Sequence, residues 1–214
     1  MTTAIVIGAT GLVGKCLVQQ LLSDSSYSSV VALTRRGTSL RADKYQEHIV
    51  DFDKPDTFAA QVAGDVLFSC MGTTRGQAGS VAAQRVVDYG YQFELAKLAA
   101  QRGVRCYVQV SSKGADPNSL SAYLKMKGEL ERDVQSLGFT SLQILRPGPL
   151  TGQRDQPRLG EAVAERVLGV VNAVGLFRSL RPISGDQVAT AMRRAATLSG
   201  TQTHGPEELF TLAG

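Results

Sequence analysis

The stretch GATGLVG, residues 8–14, decides the fold of this chain. It follows the apolar run AIVI and precedes KCLVQQLL, so three glycines spaced three apart separate a predicted strand from a predicted helix. Such a unit is typical of a phosphate-binding turn, because unpaired N–H groups at a helix N-terminus attract anions. Gly8 would permit the tight turn, Gly11 the approach of a pyrophosphate, and Gly14 close helix packing. A plain glycine-rich turn is the alternative, since the spacing alone is weak evidence.

Strand-like and helix-like runs alternate along most of the chain. Apolar spacing of helical type is clearest over 81–102 and 121–137. The apolar strand runs are nearly continuous, which indicates burial on both faces. The pattern predicts an α/β fold, a doubly wound parallel Rossmann sheet with helices on both faces. The predicted strands are residues 4–8, 30–34, 48–52, 65–70, 106–110 and 141–145.

The composition changes after the last of these strands, where Pro and Gly become frequent. A helical pattern follows at roughly 159–174, and SGDQ at 184–187 matches a capping box that opens another helix. This last third is too short for a second domain. We therefore expect one NAD(P)-binding domain, 1–214, with a small C-terminal lobe on the substrate side. Roughly 149–182 would form its cap over the carboxyl ends of the strands.

The end of the second predicted strand bears on which dinucleotide binds. An acidic residue there would take the ribose 2′-hydroxyl of NAD, but the sequence ALTRRGTSL places Arg35 and Arg36 there. A guanidinium is planar and offers paired donors, which suits a 2′-phosphate. We therefore favour NADP(H) over NAD(H). Two exposed loop arginines without a ligand are the alternative.

The ends of later strands complete the expected cofactor site. Asp51 in VDFD is placed to meet the adenine amino group, and SCMGTT would line the cofactor with backbone and Thr hydroxyl groups. The predicted cofactor contacts in these segments are Gly8, Thr10, Gly11, Leu12, Val13, Arg35, Arg36, Asp51, Phe52, Cys70, Met71 and Gly72.

A Ser, a Tyr and a Lys in VQVSSKGADPNSLSAYLKMKGELE form the candidate catalytic group. Tyr123 and Lys127 are four apart and share a helix face, and that face continues into apolar residues. A buried lysine is costly without a compensating partner. An ammonium beside a phenol favours proton exchange with a carbonyl oxygen, which Ser112 or the adjacent Ser111 would hydrogen-bond. The alternative is a structural Tyr and a Lys that reaches solvent.

These motifs together resemble the short-chain dehydrogenase/reductase superfamily. GATGLVG is similar to the glycine motif of its extended and atypical members, and YLKMK matches its Tyr-x-x-x-Lys pattern. CMGTTRGQAGS, SSKGADPNSLSAYLKMKGELE and LRPGPLTG resemble more closely the atypical branch of the HIV-Tat-interacting oxidoreductase-like proteins. The resemblance covers roughly residues 1–152 well and the rest loosely.

The resemblance implies roles for individual residues. Tyr123 would be the catalytic acid/base, Lys127 its activator and a ligand of the nicotinamide ribose, and Ser112 the group that orients the carbonyl. Pro147 and Gly148 would lie near the nicotinamide. The implied activity is hydride transfer between NADP(H) and a small carbonyl or alcohol substrate.

One departure from the superfamily concerns the long helix at 81–102. Many members carry an Asn there that completes a proton relay, whereas this segment offers only Asp88, Tyr89 and Gln92 as polar candidates. An NADP(H)-binding regulatory or redox-sensing protein, with little turnover and a possible protein partner, is therefore the alternative function.

Composition and charge argue against several other classes. The net charge is +4, but the basic residues are scattered, so we expect no nucleic-acid partner. No apolar run approaches the ~18 residues of a membrane span, and two distant histidines make a metal site implausible. Cys16, Cys70 and Cys106 lie in or beside apolar runs, which indicates buried thiols in a reducing compartment. With no signal-like segment in the sequence, we expect a cytoplasmic protein.

Overall fold

In a computed structural model, which describes residues 1–152 and 181–214, strands and helices alternate along the chain. A 3-10 helix and a π-helical turn interrupt the regular pattern, at Pro55–Gln61 and Val86–Gly90. The strands are β1 (Thr2–Ile7), β2 (Tyr27–Thr34), β3 (Tyr45–Ile49), β4 (Val66–Ser69), β5 (Cys106–Val110), β6 (Ser141–Leu145), β7 (Leu150–Thr151), β8 (Ile183–Ser184) and β9 (Gly200–His204). The helices are α1 (Leu12–Ser23), α2 (Arg75–Ala78), α3 (Val81–Arg85), α4 (Tyr91–Gln101), α5 (Ala122–Gln135), α6 (Gly185–Ala195) and α7 (Pro206–Ala213).

Seven of these strands form one parallel sheet in the order β3-β2-β1-β4-β5-β6-β9. The direction of winding reverses between β1 and β4, and at such a switch point the carboxyl ends of the strands leave a crevice. Ile7 and Ser69, the last residues of these two strands, are register partners. The glycine turn and the segment after β4 therefore start side by side. β7 and β8 pair separately as a short parallel ribbon.

Apolar clusters cover both faces of the sheet. On one face, Leu17 of α1 and Met192 of α6 pack in one cluster with strand residues such as Val6. On the other face, Leu95 of α4 and Leu130 of α5 belong to the second cluster. Burying each such side chain contributes about 1.5–3 kcal/mol, so both helical layers are anchored firmly to the sheet. The predicted doubly wound α/β fold is confirmed.

One predicted strand and one predicted helix differ in detail from the structure, and a second predicted helix lies outside the described residues. The third strand covers Tyr45–Ile49 rather than 48–52, because as an edge strand it has no continuous buried run. The predicted helix over 81–102 is helical throughout but contains the π-turn. The predicted helix at 159–174 lies outside the described residues, as does most of the expected cap.

Residues 185–214 extend the sheet and the helical layer that contains α1. The α6 helix packs beside α1, and its capping box is present as predicted, with Ser184 and Gln187 bonded reciprocally. The β9 strand joins the sheet beside β6, and α7 packs on α6. Sequence reasoning missed β9, because four of its five residues are exposed at the sheet edge and its sequence GTQTH is polar.

Candidate functional site

A cleft of about 730 Å³ opens at the carboxyl edge of the sheet, at the switch point between β1 and β4. This volume falls within the range of about 300–1,000 Å³ usual for small-molecule sites. The structure brings together here the glycine turn, the arginine pair and the segment after β4. The predicted cofactor contacts that line the cleft are Gly8, Thr10, Gly11, Arg35, Arg36, Phe52, Cys70, Met71 and Gly72.

The glycine turn is shaped by close backbone approaches. Gly8 has φ +76°, and a Cβ on it would lie 2.5 Å from the carbonyl carbon of Cys70, so only glycine fits. A Cβ on Gly14 would overlap the carbonyl oxygen of Gly8. Gly11 is the N-cap of α1; no side chain caps the helix and its first turn contains no acidic residue. The positive end of α1 is therefore available to an anion in the cleft.

Leu12 and Val13, two of the predicted cofactor contacts, are not among the residues that line the cleft. Val13 is buried in the core beneath α1. The side chain of Leu12 packs under the β7–β8 ribbon, since a Cβ on Gly152 or Gly185 would lie 2.6 or 2.8 Å from it. Residues in the first turn of a helix point in successive directions, so only the main chain of these two remains on the cleft side.

Asp51 also lies outside the cleft. Its carboxylate accepts the N–H of Asp53 at 3.1 Å and lies 3.6 Å from the Lys54 ammonium, so it shapes an exposed turn. Phe52, the next residue, lines the cleft instead, with its ring 5.5 Å from that of Tyr91. Both residues are predicted contacts, and only Phe52 lines the cleft, because neighbours in an extended segment face opposite ways.

Tyr91 is a cleft residue that sequence reasoning missed. It is the first residue of α4, and its hydroxyl donates to the Asp53 carboxylate at 2.8 Å. Burial and then Asp53 raise the pKa of this hydroxyl, while the positive charge of Arg35 opposes them. Phe52 and Tyr91 thus form an aromatic wall within the electrostatic reach of Arg35. No local motif marks Tyr91, since it meets Phe52 only through the fold.

Arg35 and Arg36 follow Thr34, the last residue of β2, and both line the cleft. Both are exposed. The described part of the chain offers neither guanidinium a carboxylate partner at ion-pair distance. Two adjacent exposed cations on one wall make this end of the cleft suited to an anionic group.

Lys127 is buried, as its position on an inward helix face predicts, with 2% of its surface exposed. Its ammonium reaches the carbonyl oxygen of Val110, at the end of β5, at 3.4 Å. It also lies 3.8 Å from Oδ1 of Asp88, so its charge is compensated inside the protein rather than at the surface. Tyr123, one turn earlier on α5, keeps 37% of its surface exposed. The pair thus combines a buried cation with an accessible phenol.

Asp88 connects Lys127 to the cleft. It is fully buried in the π-turn Val86–Gly90, and its Oδ1 also accepts the backbone N–H of Thr73 at 3.2 Å. Thr73 lines the cleft. One carboxylate oxygen therefore faces both the cleft wall and the candidate catalytic lysine. π-turns inside α-helices occur often at functional sites, but helical spacing alone does not reveal them.

The two candidate serines differ in what their hydroxyls do. Ser111 is buried, and its hydroxyl donates to the carboxylate of Glu131, which also pairs with Arg146. Ser112 is half-buried, and among the described residues its hydroxyl meets the neighbouring backbone carbonyl of Lys113, at 3.3 Å. Ser111 is therefore committed to a structural network, whereas Ser112 has a hydroxyl that a ligand can recruit.

Backbone contacts hold the loops around this serine together. The N–H of Lys113 donates to the carbonyl of Pro147 at 2.9 Å, which joins the loops after β5 and β6. The loop after β5 also presses on α5, because a Cβ on Gly128 would overlap the backbone of Asp116. Pro147 and Gly148 lie beside this loop rather than among the residues that line the large cleft.

Among the described residues, the cysteine thiols and the potential metal ligands do not add to the candidate site. Burial raises the pKa of the Cys70 thiol to about 12, so it stays protonated near neutral pH. All three cysteines are free. Across residues 1–152 and 181–214, no three potential metal ligands cluster, and no helix combines the length and apolar character needed to cross a bilayer.

Comparison with known proteins places the chain in a family. Residues 8–196 match a family model described as NAD(P)H-binding. Protein FMP52, mitochondrial, from Coccidioides immitis is 36% identical over 237 residues, covering 100% of this chain and 94% of the relative. Protein fmp52, mitochondrial, from Aspergillus fumigatus is 36% identical over 227 residues, covering 100% and 96%.

The expected cytoplasmic location is wrong. Relatives from several fungi are named as mitochondrial proteins. The sequence argument rested on the thiols and on the lack of a signal-like segment in the sequence. Thiols indicate a reducing compartment without distinguishing one such compartment from another.

Solved structures share the fold at low sequence identity. MoeE5 in complex with UDP-glucose and NAD superimposes with a TM-score of 0.73 at 18% identity, covering 99% of this chain and 80% of that one. A short chain dehydrogenase family protein from Francisella tularensis gives a TM-score of 0.68 at 16% identity, with 99% of both chains covered. The narrower resemblance to the Tat-interacting branch stays a prediction. The match over residues 8–196 and the full-length fungal relatives show that this chain belongs to the NAD(P)H-binding Rossmann family, as a relative of the FMP52 proteins.

Proposed function

We propose that this chain is an NADP(H)-dependent oxidoreductase that transfers hydride between nicotinamide and a small carbonyl or alcohol substrate. One observation carries the proposal. Asp88 contacts both Thr73 of the cleft wall and the ammonium of Lys127, so one buried carboxylate links the dinucleotide cleft to the candidate catalytic group. Membership of the NAD(P)H-binding family supports the cofactor.

Features of the cleft support the binding of three parts of the proposed cofactor. The uncapped N-terminus of α1, with the close turn at Gly8, suits the pyrophosphate. The rings of Phe52 and Tyr91 offer an aromatic surface for the adenine. Arg35 and Arg36 suit a 2′-phosphate, which NADP(H) carries and NAD(H) lacks.

Residues on α5 and β5 would then handle the proton. Bound NADP(H) supplies or accepts the hydride. In the reducing direction Tyr123 donates a proton to the substrate oxygen, and in the oxidising direction it takes that proton back. Lys127 provides positive charge beside the phenol and a donor for the nicotinamide ribose, while Ser112 orients the substrate oxygen. Pro147 and Gly148 would border the nicotinamide.

The arginine pair is tested by replacing both Arg35 and Arg36 with Ala. We expect the affinity for NADPH to fall about 10- to 100-fold, because charge-assisted hydrogen bonds contribute about 1.5–3 kcal/mol, while NADH binding changes little. Calorimetric titration of both nucleotides measures this. Arg105→Ala is the control, because Arg105 is an exposed arginine at the opposite edge of the sheet. Equal losses for the two nucleotides would show that the pair does not read the 2′-phosphate.

The acid/base role is tested with Tyr123→Phe. We expect NADPH binding to survive and turnover on a panel of carbonyl compounds to be lost, because Phe lacks the proton to donate. Tyr27→Phe is a suitable control, since Tyr27 is the first residue of β2 and lies at the other end of the sheet. Undiminished turnover in Tyr123→Phe would exclude the assigned role.

A binding protein with regulatory function is the second candidate. It is favoured by the engagement of Lys127 with Asp88 and by the lack of Asn in 81–101, where many related enzymes complete a proton relay. Tight NADPH binding without oxidation by any carbonyl in the panel would support this function over the enzyme. The names of the fungal relatives favour a mitochondrial location for either function, which organelle fractionation of the full chain tests.

A further inference from the structure

A carboxylate lies behind the arginine pair, and we propose that Glu47 is a positioning residue for recognition of the adenosine 2′-phosphate. Glu47 belongs to the edge strand β3 and does not line the dinucleotide cleft. Its role would be to fix the turn that carries Arg35 and Arg36. The inference rests on the proposed function, because it presupposes a preference for NADP(H).

The Glu47 carboxylate holds both ends of the arginine turn. Its Oε2 and Oε1 accept the backbone N–H of Thr38, at 2.9 and 3.1 Å. Oε1 also accepts the hydroxyl of Thr34, at 3.3 Å. Thr34 ends β2 and Thr38 follows the turn, so one side chain brackets the three residues between them, two of which are the cleft arginines.

The carboxylate is itself held in place. The hydroxyl of Tyr45, on the same strand, donates to Oε1 of Glu47 at 3.4 Å. The turn also packs on β3, since a Cβ on Gly37 would lie 3.3 Å from Cδ1 of Ile49. The arginine turn therefore rests on a fixed strand rather than on a free loop.

Bracing of this kind raises affinity by reducing the entropy lost on binding. An unbraced turn with two long side chains must be ordered when the ligand arrives, whereas a braced turn already fixes the backbone from which both guanidiniums extend. A nearby carboxylate also repels an anionic ligand, which acts in the opposite direction. The N–H of Thr38 and the hydroxyl of Thr34 point at the carboxylate and offset part of its charge. The sign of the mutational effect therefore separates bracing from repulsion.

The experiment compares Glu47→Ala and Glu47→Gln with the wild-type chain by calorimetry. Four ligands are used: adenosine 2′,5′-bisphosphate, adenosine 5′-monophosphate, NADPH and NADH. The first pair differs only in the 2′-phosphate and does not depend on the nicotinamide end. Gln46→Ala is the matched control, because Gln46 is the neighbouring residue on β3 and its side chain meets Ser29, away from the turn.

We expect Glu47→Ala to weaken both 2′-phosphorylated ligands about tenfold, comparable to ordering one residue on binding, and the other two ligands less than about twofold. Glu47→Gln should lose less, because its amide oxygen still accepts a hydrogen bond. It also provides the test if the Ala variant does not fold. Gln46→Ala should match the wild-type chain.

Four outcomes would overturn the role of Glu47. Tighter binding of the 2′-phosphorylated ligands by both variants would mean that repulsion dominates. Equal losses for all four ligands would mean that Glu47 supports the fold and not recognition. If Glu47→Ala prefers the 2′-phosphorylated ligands as strongly as the wild-type chain does, the positioning role is excluded, while the proposed preference for NADP(H) stands. If the wild-type chain does not discriminate at all, the NADP(H) preference fails first and the role of Glu47 falls with it.

Discussion

Gly8 ties two strand ends together at a single residue. Its positive φ turns the chain out of β1, and the absence of a side chain lets the backbone of Cys70 and Met71 pass within 2.6 Å of where a Cβ would stand. The same residue therefore sets both the direction of the phosphate turn and the width of the switch point. The cost of the positive φ and the cost of the steric overlap can be measured separately by mutation.

Gly8→Ala should lower the free energy of unfolding by about 3 kcal/mol, since left-handed strain of ~1–2 kcal/mol adds to overpacking of ~1–3 kcal/mol. Gly138→Ala is the matched control, because Gly138 has nearly the same φ, +77°, with nothing within 4 Å of its Cβ position. That variant should lose only about 1–2 kcal/mol. Urea unfolding measures both. Equal losses would mean that the backbone of Cys70 moves aside without cost.

At the scale of elements, the π-turn between α3 and α4 places one of its residues, Asp88, next to the candidate site. The turn buries Asp88 completely, opposite Lys127 of α5 and beneath Thr73. Two helices and the loop after β4 are thus joined through one ion pair in the interior. Such a pair stabilises the protein only while both partners are present, because a lone buried charge lacks solvation.

Asp88→Ala should lower the free energy of unfolding by about 3–5 kcal/mol, because it leaves the Lys127 ammonium buried and unpaired. The double variant with Lys127→Met should lose less than the sum of the two single variants, since removing both charges removes that penalty. The exposed pair Asp51–Lys54 is the control, where Asp51→Ala should cost less than about 1 kcal/mol. Strict additivity in the double-mutant cycle would contradict the coupling.

At the scale of the whole molecule, His204 links stability to pH. It ends the edge strand β9, is 6% exposed, and its Nε2 lies 2.8 Å from Oε1 of Gln143 on β6. Burial lowers the pKa of His204, while Glu208 acts in the opposite direction. The unfolded chain therefore binds this proton more readily than the folded one. The contribution is complete above the unfolded pKa of about 6.5 and is lost as the pH falls through the lower folded value.

The free energy of unfolding should therefore decrease between pH 7 and pH 5, and His204→Gln should show a shallower decrease. Gln at this position still offers Gln143 a hydrogen-bond partner but does not titrate. Asp24 and Asp133, whose pKa values are lowered by their hydrogen bonds, add a slope that both proteins share, and this slope begins below about pH 5. Urea titrations at several pH values measure the difference. Parallel curves would mean that His204 does not control acid stability.

The fold was predictable because its signals are local. Gly8 needs a special backbone conformation, and Arg35 and Arg36 directly follow an apolar run, so position along the chain was enough. The polar edge strand β9 and the π-turn give no periodic signal. The contacts of Tyr91 and Asp88, and the outward turn of Asp51, arise between segments distant in sequence. Sequence patterns identify which segments meet at the site, but not which side chain of a segment faces it.

The pairing of α1 with α6 makes the order of synthesis matter. The first helix packs against residues 185–195 as well as against the sheet, so the element that carries the phosphate turn lacks one of its partners until these residues have been synthesised. Leu17 and Leu21, both fully buried in the finished protein, lie in the apolar cluster that residues 185–195 complete. We therefore expect a nascent chain that ends before residue 185 to leave part of the apolar face of its first helix uncovered, and to be prone to aggregation at that stage.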